Sequence, residues 1–222
     1  MISTATLLGF SILPAGLIAL ARFNKWSMPY LPFLLCVWLA CINELLSYIL
    51  WRNHYYTSVN NNLYVLAEAI LFLVFFRNMQ VFEKRPQVFP MLLLFLVILW
   101  SWENIGLGKI IAVSSWFRIA YSFLTVVLSI ALINRLIYRV IYEPWLSGER
   151  SIFLNPEFLI AAGAIIFFTF KMVVELFWWY GINHSAALRT NLYHIMMYIN
   201  VIANIIYTLA IVWIPRKQPY TI

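Results

Sequence analysis

The sequence predicts an all-α, polytopic membrane protein: one transmembrane helical domain over residues 1–222 with seven spanning helices, N-terminus outside and C-terminus inside. Three observations carry that expectation. Hydrophobic residues make up 64% of the chain and charged residues 10%, against about 25% charged in ordinary soluble domains. Lipid must therefore be the solvent for most of the surface. Seven apolar runs fall at 4–22, 29–51, 62–82, 88–105, 115–137, 157–181 and 190–214, each near the roughly 20 residues a spanning helix needs. Lysine and arginine, finally, gather in alternate connections.

The first run holds Pro14, which predicts a kink, and ends in Ala19-Leu20-Ala21, a signal-peptidase-like tripeptide. No basic residue precedes it and Arg22 follows. That pattern reads as a retained helix entering from outside, not a cleaved signal. The second run carries Cys36, Cys41 and Glu44; cysteines at that spacing point in different directions on a helix, which argues against a disulfide. The third opens with Asn62-Leu63-Tyr64 and carries Glu68. The fourth is short and ends in Glu103-Asn104, so six spans is the alternative count. Arg118 stands near the start of the fifth.

The sixth run holds Lys171 and Glu175, one turn apart and so on one helical face. A charge at the centre of a span costs roughly 2.5–3.5 kcal/mol on insertion scales, so such groups turn inward and pair or serve a function. The seventh carries Tyr193, Met197, Asn200, Asn204 and Thr208 along one face, with His194 off it. Intramembrane Asn and Thr commonly join helices, and a lone histidine near an interface commonly anchors it. No His-x-x-x-His or Cys-x-x-Cys pattern supports a metal site, and no cofactor is expected.

With the N-terminus outside, Arg22, Lys25, Arg77, Lys84, Arg85, Arg135, Arg139, Arg150, Arg216 and Lys217 fall inside, and Arg52, Lys109 and Arg189 outside, ten against three. Trp51, Tyr55 and Tyr56, and then Trp178, Trp179 and Tyr180, read as interfacial belts. The net charge of +7 belongs to these loop anchors rather than to a nucleic-acid surface. The longest connection, 140–156, is inside; no loop is large enough for a catalytic domain.

Depth follows from helical rise. Glu44, Glu68 and Glu175 sit roughly 10 Å below the outer ends of their helices and Lys171 about 15 Å down, near the midplane. Glu103 and Arg118 lie nearer the outer end, as do His194 and Asn200 in the outer half of the seventh helix. Turned inward, they form one polar chamber. Glu44, Glu68, Glu103 and Glu175 against Arg118 and Lys171 leave two negative charges in excess, which a proton, a metal cation or a cationic solute would compensate. The candidate ligand- or ion-binding residues are Glu44, Glu68, Arg118, Lys171, Glu175, His194 and Asn200. The plainer alternative is ion pairing that fixes helix packing, Glu175 with Lys171 and Glu44 or Glu68 with Arg118.

Asn62-Leu63-Tyr64 and Asn191-Leu192-Tyr193 open the third and seventh helices, each preceded by a Glu-Leu pair, Glu44-Leu45 and Glu175-Leu176. That offset suggests a 3+1+3 repeat, with Glu44 and Glu175 as symmetry mates.

Glu44, the Asn62, Leu63, Tyr64 and Glu68 opening of the third helix, Arg118, and Asn155-Pro156-x-Phe158 resemble the pattern of an uncharacterised bacterial family of small seven-helix integral membrane proteins. The resemblance implies a sensory role beside two-component signalling and carries no ligand or activity. Lys171 and Glu175 depart from its less charged sixth helix.

A retinal protein needs its lysine in the last helix, which has none, and the seven-helix metal-dependent amide hydrolases need several His and an Asp; this chain has 3 His and no Asp. Neither Gly-x-Ser-x-Gly nor a Walker loop occurs. No catalytic residue is expected, and enzyme is the weakest class. The expectation is a receptor-like sensor or regulatory subunit of the bacterial inner (cytoplasmic) membrane. It would bind a small polar or cationic ligand from outside and act on a cytoplasmic or membrane signalling partner through the basic 135–156 segment; an oligomer is compatible with this and nucleic acid is not a partner. The alternatives are a small-solute or proton-coupled transporter and a structural subunit of a membrane complex.

Overall fold

The computed structural model describes residues 8–22, 27–112, 115–142, 152–181 and 186–215. Seven α-helices run through them in order: α1 Leu13–Ala21, α2 Leu31–Arg52, α3 Ser58–Asn78, α4 Val88–Ser101, α5 Ser115–Tyr142, α6 Pro156–Gly181 and α7 Ala186–Trp213. No strand occurs among the described residues. Six of the helices are long and apolar enough to cross a membrane, the make-up of a multi-pass membrane protein.

The run at 88–105 forms a candidate span, Val88–Gly106. Of the first run, the described part is the shorter apolar helix Phe10–Ala21, and residues 4–7 lie outside the described set. A 3-10 turn, Phe10–Ile12, precedes α1, and the change to α-helix comes at Leu13. Pro14, which has no N–H to donate, sits in that first turn, where the lack costs nothing. Proline likewise opens α2 as Pro32. At α6, the Asn155 side chain accepts the Glu157 N–H at 2.8 Å just before Pro156, capping a donor that the helix leaves free.

The helices form a ring. α1 packs on α2, α2 on α3, α3 on α5, α5 on α6, α6 on α7, and α7 closes back on α1; α4 lies outside, against α3 and α5. Small residues allow the close approaches. Ala15 and Ala19 of α1 and Ala203 and Ala210 of α7 are fully buried. Gly163 of α6 lies against the Tyr207 ring, so close that an added Cβ would stand 2.8 Å from Tyr207 Cε1. Arg22 closes the ring at one end, donating to the carbonyls of Ile211, Val212 and Ile214 at the end of α7, where the helix leaves acceptors free and the dipole is negative.

α4 continues into a π-turn, Trp102–Gly106. The extra residue per turn lets consecutive Glu103 and Asn104 both face inward, fully buried. Gly108, at φ 66, turns the chain back. Cys36 and Cys41 are free thiols. The Trp51, Tyr55 and Tyr56 belt is exposed; Lys25, Arg150, Arg216, Lys217 and the side chains of Trp178, Trp179, Tyr180 and Arg189 lie outside the described set.

The tripeptides that suggested a repeat occupy unlike places. Asn62 is completely buried, whereas Asn191 is exposed.

The Gly163–Tyr207 contact gives a direct test. Gly163→Ala forces the ring or α7 to shift and is expected to lower stability by about 1–3 kcal/mol. Thermal unfolding in detergent measures it; an unchanged midpoint would mean that α6 and α7 separate without cost.

Candidate functional site

Between the ringed helices lies a cavity of about 620 Å³ to which every helix of the ring or its leading turn contributes, α4 alone being absent. Its mouth, at the end where α2 passes to α3, holds Trp51 and Thr57; Glu44, Glu68, Arg118 and Lys171 stand in its walls. Phe33, Phe72, Phe168 and Tyr207 form its floor. Their rings interlock: Phe33 to Tyr207 at 5.3 Å, Phe33 to Phe72 at 6.4 Å and Phe72 to Phe168 at 5.4 Å between centroids. Phe75 and Phe76, fully buried, back that layer.

The ionisable groups pair between helices, not within one. Lys171 Nζ meets Glu68 Oε2 at 3.0 Å, and Tyr64 Oη donates to Glu68 Oε1 at 2.7 Å. Both Glu68 oxygens are thus engaged. Lys171 also lies over the Tyr121, Phe167 and Phe168 rings, 5.2–5.4 Å from their centroids. Arg118 Nη1 meets Glu175 Oε1 at 3.5 Å, and its Nη2 donates to Asn62 Oδ1 at 3.2 Å. The expected pairs, Glu175 with Lys171 and Glu44 or Glu68 with Arg118, are therefore corrected: each group of α6 reaches a different neighbour, Lys171 to α3 and Glu175 to α5. The reason is the enclosure. A buried carboxylate must fill several acceptor positions, and donors from facing helices and a neighbouring tyrosine do so where one lysine on the same face cannot.

Asn62 is the hub of the second pair. Its Nδ2 donates to the carbonyls of Lys109, Ile110 and Ala112 at 3.3, 3.1 and 2.8 Å, and its backbone carbonyl accepts Trp100 Nε1–H at 3.0 Å. One amide thus binds the turn after α4 and orients Arg118.

Glu103 does not join the chamber. Its oxygens accept the Trp116 and Phe117 N–H groups at 3.1 and 2.7 Å, and Lys109 Nζ lies 3.8 Å away. These are the free donors of the first turn of α5, where the helix dipole also favours an anion. With Glu103 so placed, and Glu68 and Glu175 each matched by a cation, the chamber's excess falls from two negative charges to one. Glu44 carries it, making no hydrogen bond or ion pair among the described residues.

Glu175 adjoins the cavity through Arg118 without lining it, and Asn200 lines it beside Met197 and Asn204. Asn204 Nδ2 donates to Ser11 Oγ at 2.8 Å and to Asn200 Oδ1 at 3.4 Å, so these amides also tie α7 to the turn before α1. His194 is exposed and outside the lining. Sequence reasoning passed over the amide and hydroxyl wall near the mouth: Asn60 Nδ2 donates to Asn43 Oδ1 at 2.8 Å and to Ser47 Oγ at 3.2 Å, and Ser47 Oγ donates to Asn61 Oδ1 at 3.3 Å. The Asn60-Asn61-Asn62 run at a helix start, facing Asn43 and Ser47 one turn apart, was the signal for it. Among the described residues no three of His, Cys, Asp and Glu gather as a metal site requires.

The chain matches no protein-family model, no curated protein and no solved structure. The likeness drawn from Glu44, the Asn62–Glu68 opening, Arg118 and Asn155-Pro156 rests on those residues alone.

The Lys171–Glu68 pair yields a coupled test. Glu68→Gln or Lys171→Met alone leaves one buried charge unmatched and is expected to cost about 3–5 kcal/mol. The double variant should recover most of that loss. Graded unfolding in mixed micelles measures all three; a double variant as unstable as the sum of the singles would show that the two groups are not coupled.

Proposed function

We propose that this protein is a receptor-like sensor or regulatory subunit whose cavity binds a small polar or cationic ligand from one side of the membrane. The observation that carries the reading is the lining of the cavity: charged and amide side chains stand toward the end where α2 passes to α3, and interlocked, buried aromatic rings close the other. A ligand that enters such a space is held, not passed on. Glu44, the cavity carboxylate without an ion pair among the described residues, favours a ligand with one positive charge.

The proposed orientation places the cavity mouth and N-terminus outside and the C-terminus inside, in a bacterial inner membrane. Arg22, Arg77, Lys84, Arg85, Arg135 and Arg139 gather at the end opposite the mouth, against Arg52 and Lys109 at the mouth end, which supports that sense. The signalling partner would meet the basic 135–156 segment, of which 143–151 lie outside the described residues. At the near part of this end Arg135 donates to the Met79 carbonyl at 2.6 Å and to Glu83 at 2.8 Å, and also reaches Gln80. Movement of α5 at Arg118 would thus be felt at the α3–α4 turn. A carrier needs a polar route through the aromatic floor, and a structural subunit has no use for an internal cavity; both alternatives are weaker for those reasons. The duplication reading has in its favour the two tripeptides and the Glu-Leu pairs that precede them.

Side-specific thiol labelling tests the reading. In sealed vesicles of a Cys36→Ala, Cys41→Ala background, a membrane-impermeant maleimide added outside should modify the Asn200→Cys variant and spare Thr208→Cys. Labelling of Thr208→Cys from both faces would favour the carrier. Failure to label Asn200→Cys from outside would remove the sensor reading in this orientation.

A further inference from the structure

We propose that the Glu44 corner of the cavity recognises a methylated ammonium group, tertiary or quaternary, on a small organic cation. The proposal rests on the ligand-binding reading above and narrows it to one chemical class.

Charge comes first. Glu68 and Glu175 are matched by Lys171 and Arg118, so among the described residues lining the cavity a bound cation finds its counter-charge at Glu44. The surroundings of that carboxylate are aromatic. Tyr48 follows one turn later on α2, its ring 6.4 Å from that of Trp51 and 5.8 Å from that of Phe10, which comes from the turn before α1. All three line the cavity with Glu44. A carboxylate and aromatic rings that line one cavity together can select cations by charge and polarisable contact.

Methylation follows from the rings. Phe10, Tyr48 and Trp51 bring aromatic surface to the same stretch of the lining as Glu44, and aromatic surface is what recognises quaternary ammonium groups. A methylated ammonium spreads its charge over C–H surface that such rings can cover. The chain applies the same chemistry to its own buried cation, where Lys171 lies among Tyr121, Phe167 and Phe168 with Glu68 as counter-ion.

Gly9 makes room for the carboxylate. A Cβ there would stand 2.9 Å from Glu44 Oε2. Since that atom ends a flexible side chain, Gly9→Ala would swing the carboxylate aside while keeping both the fold and the charge.

The test is calorimetric titration of the full chain in lipid nanodiscs with choline, its neutral isostere 3,3-dimethylbutanol, and ethanolamine. Choline should bind, with the isostere and ethanolamine each about tenfold or more weaker, and Glu44→Gln should weaken choline about tenfold or more. Gly9→Ala and Tyr48→Leu should each weaken choline while leaving thermal stability near that of the parent. Equal binding of the isostere, undiminished choline binding by Glu44→Gln, or ethanolamine as tight as choline would overturn the ammonium site while leaving a ligand-binding cavity. No binding by any of the three overturns the ammonium site as well; the labelling of Asn200→Cys then decides separately whether the cavity reading stands.

Discussion

The ion pair between Lys171 and Glu68 governs the interior. In a bundle whose outer surface faces lipid, neither charge has water to fall back on, and each is tolerable only while the other stays within contact. The pair reaches across the cavity between α3 and α6, which are not close neighbours along their backbones. It therefore sets the width of the space as well as its charge. Tyr64 and the rings around Lys171 complete the solvation that the membrane withholds.

α6 occupies the central position in this arrangement. One turn of it sends Lys171 to α3 and Glu175 to α5. Rotation or sliding of α6 strains both pairs together, and the Arg118–Asn62 link passes that strain to the turn after α4. Coupling of this kind needs only two packed arrangements of similar energy. The aromatic floor beneath is closely packed, and its one polar atom, Tyr207 Oη, is buried without a hydrogen-bond partner among the described residues.

Much of the fold was legible because hydropathy reports directly on partition into lipid. The six long spans follow apolar runs, with limits shifted by a few residues at most helix ends, and Glu44, Glu68, Arg118 and Lys171 do share one cavity. Of the first run, the described part is the apolar helix Phe10–Ala21, shorter than the other six. Pairing was not legible. Spacing along one helix brings Lys171 and Glu175 together on paper, while the partners each takes depend on how three helices are turned against one another, and no local signature records that. Glu103 illustrates the same gap. Its sequence position marks a polar helix end, but only the π-turn and the approach of α5 make it a cap for Trp116 and Phe117 rather than part of the chamber.

The clasp between Arg22 and the end of α7 joins groups separated by about 190 positions in the chain. α1 rests against α2 and against α7, the last described helix. One face of α1 can thus be covered as soon as α2 is made, while the other stays open until nearly all the described chain has followed, so the ring closes only when α7 arrives.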